Sequence, residues 1–257
     1  MFIEVVGASG SKNSVNRVIC MRLGENVLID AGSASFIPPE QLNEVNTILL
    51  THAHLDHILD LGFILDSMVH TRETPLVVTG SEACLSIVRE HYMNGLIWPD
   101  FSRIRKKGNP LLEYCAIEDE TWTVLEPGLE CMSIPVNHSA GARGFLFRSE
   151  GKILVYSGDT GPTEFLWQRA REEGCPEAVV IEVSFPDSMR NIAMASDHLC
   201  PSTAADELRK LGCCDIPVYL FHMKPWFRDV IEKETASLQG NPVAILRQGY
   251  RILFGNT

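Results

Sequence analysis

The heptapeptide THAHLDH, residues 51–57, places three imidazoles and a carboxylate directly after a short apolar run, TILL at 47–50. Imidazole and carboxylate groups are the usual protein ligands of zinc and related first-row metal ions. In an extended loop His52 and His54 point the same way, whereas Asp56 and His57 begin the next helix and face elsewhere. The pattern therefore predicts two adjacent metal ions rather than one.

A two-metal centre needs further ligands, and distant strand ends are the places that offer them. His138, Asp159 and His222 each follow an apolar β-run, CMSIPVN, KILVYSG and VYLF respectively. Loops at strand ends are where a rigid scaffold presents functional groups. A single strand-end histidine is usually an ordinary hydrogen-bonded residue, but three such positions beside THAHLDH favour a metal centre. A carboxylate at Asp159 can bridge two metals, which a histidine cannot do.

Glu182 and His198 form a second pair of candidates. Glu182 lies in the buried run AVVIEVSF, where a carboxylate is unfavourable without a partner. His198 lies in SDHLCPSTAADEL, just before a predicted helix, where it could serve as a capping or packing residue. An imidazole also titrates near neutral pH and suits acid catalysis. The local pattern leaves both roles open for His198.

Short β-rich runs alternate with helical segments, and no linker marks a boundary, so we expect one α/β domain over residues 1–257 with sheets inside and helices outside. Residues 95–120 have weak periodicity and are predicted to be an irregular, lid-like insertion. They carry the basic cluster RIRKKG at 103–108, which is typical of a solvated loop and could also attract an anionic substrate. The net charge of −11 argues against a protein that binds long nucleic acids.

Neither a membrane span nor a secretory signal is expected from the sequence. The apolar runs are too short to cross a bilayer, and the N-terminus lacks a basic region followed by an apolar stretch. The eight cysteines are scattered and form no CxxC motif, so we expect them to be reduced. A cytoplasmic location follows as the expectation.

The order HxHxDH, strand-end His, SGDTGP and strand-end His resembles the metallo-β-lactamase superfamily. GASGS at 7–11 and LIDAG at 28–32 match as well, so the resemblance extends over essentially the whole chain. It implies an αββα sandwich of two mixed sheets flanked by helices. It also implies that one metal is held by His52, His54 and His138, that the second is held by Asp56, His57 and His222, and that Asp159 bridges them. Asp30 of LIDAG matches the carboxylate that stands behind the metal loop in this superfamily.

Within the superfamily the sequence is most similar to class II cyclic-nucleotide phosphodiesterases. An aspartate at the bridging position and the pair Glu182 and His198 match the phosphodiester-cleaving branches. The resemblance implies hydrolysis of a 3′,5′-cyclic nucleotide, cAMP or cGMP, to the nucleoside 5′-monophosphate by a hydroxide that bridges two divalent ions. Zinc is expected, and manganese and iron also suit the ligand set. Asp56, Glu182 and His198 would form the catalytic group.

Several alternatives remain open from the sequence. They are another small-substrate phosphodiesterase, a nuclease of the tRNA-processing type, a lactonase or thioesterase, and a metal-binding protein without turnover. The expected partner is a small anionic phosphodiester, with no long nucleic acid and no membrane. Homo-oligomerisation stays open.

Overall fold

Two seven-stranded β-sheets form the centre of the molecule in a computed structural model, which describes residues 1–235, 238 and 240–254. Strands and helices are numbered in chain order. The first sheet has the spatial order β16 (Arg251–Leu253), β1 (Phe2–Gly7), β2 (Cys20–Leu23), β3 (Val27–Ile29), β4 (Thr47–Leu49), β5 (Leu76–Gly80) and β8 (Leu112–Ala116). The second sheet has the order β15 (Val243–Ile245), β14 (Val218–Phe221), β13 (Ala178–Glu182), β12 (Lys152–Tyr156), β11 (Arg143–Ser149), β10 (Leu129–Pro135) and β9 (Trp122–Glu126).

Both sheets are mixed, and they share one pattern of strand pairing. In the first sheet the three links from β16 to β3 are antiparallel, and the three links from β3 to β8 are parallel. In the second sheet the links from β9 to β12 are antiparallel, and those from β12 to β15 are parallel. Parallel strands present their carboxyl ends at a common edge, where loops with functional groups can converge.

Eight α-helices accompany the sheets within the described residues. They are α1 (Pro39–Leu42), α2 (Leu55–Ile58), α3 (Leu61–Met68), α4 (Glu82–Ile87), α5 (Phe165–Glu173), α6 (Arg190–Ala195), α7 (Pro201–Leu211) and α8 (Arg228–Glu234). The longest of them, α7, begins with proline and ends at Gly212, whose φ of 72° is a left-handed conformation that glycine adopts without strain. None of the helices in the described part of the chain has both the length and the apolar character that a membrane crossing requires.

Three apolar layers hold the sheets and helices together. The middle layer lies between the two sheets and combines side chains of both, such as Ile29 and Met21 with Phe145 and Tyr156. One outer layer joins the first sheet to α1–α4, and the other joins the second sheet to α5, α7 and α8. Burial of large apolar side chains is the main stabilising contribution in such a sandwich. This arrangement confirms the predicted αββα architecture.

Residues 95–120 contain more regular structure than their sequence indicates. Leu112–Ala116 is the edge strand β8 and pairs in parallel with β5, and a two-stranded hairpin, β6 (Arg105–Lys106) and β7 (Asn109–Pro110), precedes it. The basic cluster is held by acceptors from neighbouring segments. Lys106 donates to two backbone carbonyls at the end of α3, at 2.8 Å each, and Lys107 pairs with Glu73.

One pair of cysteines differs from the expectation of reduced thiols. Cys175 and Cys213 are joined as a disulfide, with their Cα atoms 6.1 Å apart. Cys175 follows α5 and Cys213 follows α7, and these two helices pack side by side on the second sheet. Their 38-residue separation hid this proximity in the sequence.

Candidate metal centre

The loop between β4 and α2 supplies the first group of candidate ligands. His52 is fully buried and His54 is exposed, and both meet His138 from the loop after β10. The nearest ring nitrogens of His54 and His138, Nδ1 and Nε2, are 3.2 Å apart. The ligand atoms of all three histidines lie within 4.8 Å of one another, which is close enough for a single metal ion to contact them.

A second group gathers where α2 begins. Asp56 and His57 come from its first turn, and His222 follows β14 directly. Their ligand atoms also lie within 4.8 Å of one another, and Nε2 of His222 is 3.2 Å from Oδ2 of Asp56. The first and last of these residues are 166 positions apart in the chain.

Asp159 lies between the two groups. Its Oδ2 atom is 2.9 Å from Nε2 of His222, 3.2 Å from Nε2 of His57 and 3.9 Å from Nε2 of His52. A single carboxylate thus faces histidines of both groups. The structure therefore brings together all seven side chains that the sequence singled out as metal ligands.

Four of the histidines present Nε2 towards the cluster, because Nδ1 of each is engaged on the far side. Nδ1 of His57 contacts Oδ2 of Asp30 at 2.7 Å, and Nδ1 of His138 contacts the carbonyl of Asp197 at 2.9 Å. The corresponding partners are Thr51 Oγ1 for His52, at 3.0 Å, and Ser184 Oγ for His222, at 2.7 Å. An acceptor at Nδ1 fixes the tautomer that leaves Nε2 free for a metal.

Three buried atoms test whether a metal fits here. Nε2 of His52, Nε2 of His57 and Oδ1 of Asp159 make no hydrogen bond of acceptable geometry among the described residues, although Nε2 of His57 lies 3.2 Å from Oδ2 of Asp159. Buried polar atoms are rarely left without partners. These three belong to the cluster and are metal-ligating atom types, so the residues present fit a centre of nitrogen and oxygen donors.

The pKa values reflect how tightly these groups are packed. Burial lowers the pKa of His52 well below its usual value, and its charged neighbour His57 adds to that effect. Burial also acts to lower the pKa of His222, but Asp159, together with Asp56 and Glu182, raises the value to about 9. Burial opposes ionisation of Asp56, yet the hydrogen bond from His222 and the charges of His57 and His222 together lower its pKa to about 2.

The backbone is strained at two of the strand ends that build the centre. Asp30 and His222 are non-glycine residues with φ of 58° and 66°, in the left-handed region. Such conformations cost energy and persist only where the surrounding structure holds them. Asp30 accepts from the backbone and hydroxyl of Thr51 as well as from His57, and its position behind the loop matches the resemblance.

Glu182 and His198 meet beside the cluster. Glu182, at the end of β13, is completely buried, and its Oε1 lies 2.7 Å from Nδ1 of His198. The His198 ring lies 4.8 Å from the ring of His138 and 5.1 Å from that of His222, centroid to centroid. His198 is only 8% exposed and does not act as the cap of α7, whose capping residue is Cys200.

Sequence reasoning missed two hydroxyls that join these parts. Thr51 contacts both Asp30 and His52, and Ser184 Oγ lies 3.0 Å from Oε2 of Glu182 and 2.7 Å from Nδ1 of His222. Their positions in the sequence are what could have predicted them: Thr51 directly precedes the first histidine, and Ser184 follows Glu182 by two residues. In an extended segment, residues two apart face the same side.

The fold and the residues of this centre define the class of protein. A family model described as a beta-lactamase superfamily domain matches residues 25–223, and the chain belongs to the metallo-β-lactamase superfamily. The resemblance read from the motifs is thereby confirmed.

Similar proteins lie in the phosphodiester-cleaving branches of the superfamily. The chain is 26% identical to a probable 3′,5′-cyclic-nucleotide phosphodiesterase of Yersinia pestis, with 78% of the chain and 64% of that protein covered. It is 23% identical to a ribonuclease Z of Methanocaldococcus jannaschii, with 77% of each covered. The crystal structure of unliganded yeast PDE1 superposes with a TM-score of 0.81 at 17% identity, over 98% of this chain and 99% of that one. The chain thus spans less than two thirds of the length of the Yersinia protein.

Proposed function

We propose that the protein is a metal-dependent phosphodiesterase that hydrolyses a 3′,5′-cyclic nucleotide to the nucleoside 5′-monophosphate. The observation that carries the proposal is the buried pair Glu182 and His198, in contact at 2.7 Å beside the cluster around Asp159. Similarity to cyclic-nucleotide phosphodiesterases supports the same substrate class.

The proposed centre holds two divalent ions, with zinc the expected metal. His52, His54 and His138 are proposed to hold one ion, and Asp56, His57 and His222 the other, with Asp159 between them. When bound, the ions would activate a water molecule and neutralise charge on the phosphate.

The chain's own residues supply the acid chemistry in this proposal. Glu182 accepts at Nδ1 of His198, which fixes the orientation of that ring and leaves Nε2 as the atom that can donate a proton. Nε2 of His198 then donates its proton to O3′ as the bond between phosphorus and O3′ breaks. The attacking water releases one proton to solvent as its oxygen forms the new bond to phosphorus, and the product keeps its phosphate on the 5′ carbon.

A second candidate is a nuclease of the ribonuclease Z type. The similarity to ribonuclease Z favours it. The acidic net charge of −11 and the paired state of Lys106 and Lys107 favour the small substrate.

One substrate panel tests both candidates. Metal-analysed protein is assayed with 3′,5′-cAMP, 3′,5′-cGMP, 2′,3′-cAMP, a tRNA precursor and a lactone. We expect turnover of a 3′,5′-cyclic nucleotide to exceed turnover of the others, and His198→Ala to abolish most of it. His91→Ala, which changes an exposed histidine of the π-helical turn after α4, serves as the matched control. Selective cleavage of the tRNA precursor would favour the nuclease, and hydrolysis of none would contradict both.

A further inference from the structure

A cavity rich in hydrogen-bond donors lies beside the segment 8–10, apart from the metal cluster. Its volume is about 300 Å³, and its walls are formed by Ala8, Ser9, Val15, Asn16, Arg228, Arg247 and Gln248. No carboxylate is among these lining residues. Two arginines thus line this cavity in a protein whose net charge is −11.

Arg228 is the residue in this cavity whose hydrogen bonding is incomplete. Its Nε atom is buried and has no hydrogen-bond partner among the described residues. A guanidinium has five N–H donors in a rigid fork, and a buried donor without an acceptor calls for an explanation.

Neighbouring acidic side chains offset the positive charge of Arg228 only in part. Burial lowers the pKa of Arg228, and the neighbouring charge of Arg247 lowers it further, whereas Glu232 and Asp229 on α8 act in the opposite direction. Glu232 also lies 3.5 Å from Nη2 of Arg247, so this carboxylate is shared by both arginines. An anion placed between the two guanidiniums would relieve their repulsion.

The two amide side chains in the wall add donors of the same kind. One amide nitrogen of Asn16 donates to Asn13 at 3.1 Å, and that of Gln248 donates to the carbonyl of Val15 at 3.0 Å. Each NH₂ group carries a second N–H that these contacts do not use.

We propose that this cavity is a binding site for a phosphate group, separate from the metal centre. Guanidinium forks match phosphate oxygens in pairs, and such charge-assisted hydrogen bonds are the strong ones. Either free inorganic phosphate or the phosphomonoester of a nucleotide carries this chemistry. Only the nucleotide source rests on the proposed function.

The cavity and the metal centre lie on neighbouring parts of one segment. Ser9 lines the cavity and pairs with Met223 in an isolated parallel β-bridge. The next residue, Gly10, is so close to the metal centre that a Cβ there would lie only 2.3 Å from the carbonyl oxygen of His222. Because the metal centre can also take phosphate, the test must count two binding events.

Titration calorimetry of the metal-loaded protein at constant ionic strength provides that count. Inorganic phosphate is titrated into the wild type, Arg228→Gln, Arg247→Gln and the control Arg251→Gln. Arg251 lies on β16, outside the cavity wall, and its Nη2 is 3.2 Å from Glu4. We expect one binding event to weaken by roughly 10- to 100-fold in each cavity variant and to persist in the control, as for loss of a charged hydrogen-bond partner.

Further titrations distinguish a nucleotide from free phosphate as the ligand, and separate measurements detect misfolded variants. AMP binding at least about tenfold tighter than phosphate at this site would assign it to a nucleotide, a difference of about 1.4 kcal/mol. Equal binding would assign it to free phosphate. Isotherms that are the same in the wild type and both cavity variants, or adenosine binding as tightly as AMP, would overturn the proposal. Metal content and unfolding temperature are measured for every variant, and Arg247→Gln, which changes an exposed residue, carries the test if Arg228→Gln does not fold.

Discussion

At the scale of single residues, Ser184 joins the two chemical parts of the centre through one hydroxyl. Its Oγ lies 3.0 Å from Oε2 of Glu182, to which it can donate its proton, and 2.7 Å from Nδ1 of His222, from which it can then accept. The same carboxylate holds His198 at 2.7 Å. The orientation of a candidate ligand and that of the candidate acid therefore depend on a common set of hydrogen bonds.

Removal of this hydroxyl should weaken metal binding without removing a ligand. Ser184→Ala leaves Nδ1 of His222 without its acceptor, and loss of such supporting partners typically costs about 10- to 100-fold in metal affinity. Competition with a chromophoric chelator for zinc measures the change. Ser133→Ala is the matched control, since Ser133 is equally buried and donates to Asp119 at 2.8 Å. Equal zinc affinity in Ser184→Ala and the wild type would contradict this role.

His198→Ala tests the acid in the proposed reaction. We expect the metal content to stay that of the wild type, because His198 is not among the seven residues proposed as ligands, and kcat to fall by about 10²- to 10⁴-fold, the usual contribution of general acid catalysis. Elemental analysis and steady-state kinetics measure the two quantities on one preparation. An unchanged kcat on a substrate with an alkoxide leaving group would show that His198 is not the acid and only packs beside the cluster.

Asp56→Ala tests the second group of candidate ligands. Asp56 contacts Nε2 of His222 at 3.2 Å, lies in the first turn of α2 and is partly exposed, so its carboxylate can be removed without opening the apolar core. We expect elemental analysis to find fewer than two equivalents of metal per chain. Two full equivalents would show that Asp56 is not a ligand.

The histidines and aspartates of the centre could be predicted from the sequence because their residue types carry the chemistry. The seven candidate ligands, Glu182, His198 and Asp30 all meet where the motifs placed them. Thr51 and Ser184 could not be predicted in the same way, since a serine or threonine hydroxyl has many uses. Only the distances from Ser184 to His222 and Glu182 distinguish its position from that of an ordinary strand residue.

At the scale of elements, the ends of parallel strands decide where the centre lies. β12, β13 and β14 run parallel and are followed by or end in Asp159, Glu182 and His222. An apolar run that ends in or precedes a polar residue therefore predicted the strand ends that carry these three residues. The same pattern did not predict β8 (Leu112–Ala116), because the apolar pattern of this edge strand is weak and its last two residues are exposed.

Long-range proximity was the other feature that the sequence hid. The disulfide between Cys175 and Cys213 follows from how α5 packs against α7, and no spacing rule in the chain encodes that contact. The single-domain prediction for residues 1–257 stays a prediction.

The segment after β1 should be intolerant of any side chain at Gly10. A Cβ there would lie 2.3 Å from the carbonyl oxygen and 2.6 Å from Nδ1 of His222, too close for either to remain in place. We expect Gly10→Ala to lower metal content while far-ultraviolet circular dichroism stays that of the wild type. Ser11→Ala, in the same loop, is the control. Full metal content in Gly10→Ala would show that His222 can move away from the added methyl group and still bind the metal.

At the scale of the whole molecule, metal binding should be coupled to proton release. In the metal-free protein burial acts to lower the pKa of His222, but Asp159, Asp56 and Glu182 together raise it from 6.5 to about 9, so this ring holds a second proton at pH 7.5. A metal needs the neutral ring, so binding must expel that proton. Below pH 6.5 the protonated ring stabilises the metal-free fold in full, and this contribution is lost as the pH rises through about 9.

Calorimetry of zinc binding in buffers of different ionisation enthalpy measures this release. We expect the observed heat to depend on the buffer at pH 7.5, and the part due to His222 to vanish above about pH 9. A heat that is the same in all buffers at pH 7.5 would contradict the protonated state of the metal-free cluster.

The candidate ligands are drawn from both sheets, and this has a consequence for how the chain reaches its final state. His57 follows β4 of the first sheet and His222 follows β14 of the second, so their meeting closes a loop of most of the chain. Contacts so distant in sequence form late, because their entropy cost is met only after the local structure exists. Metal uptake should therefore lag behind secondary structure during refolding and report the moment at which the two sheets dock.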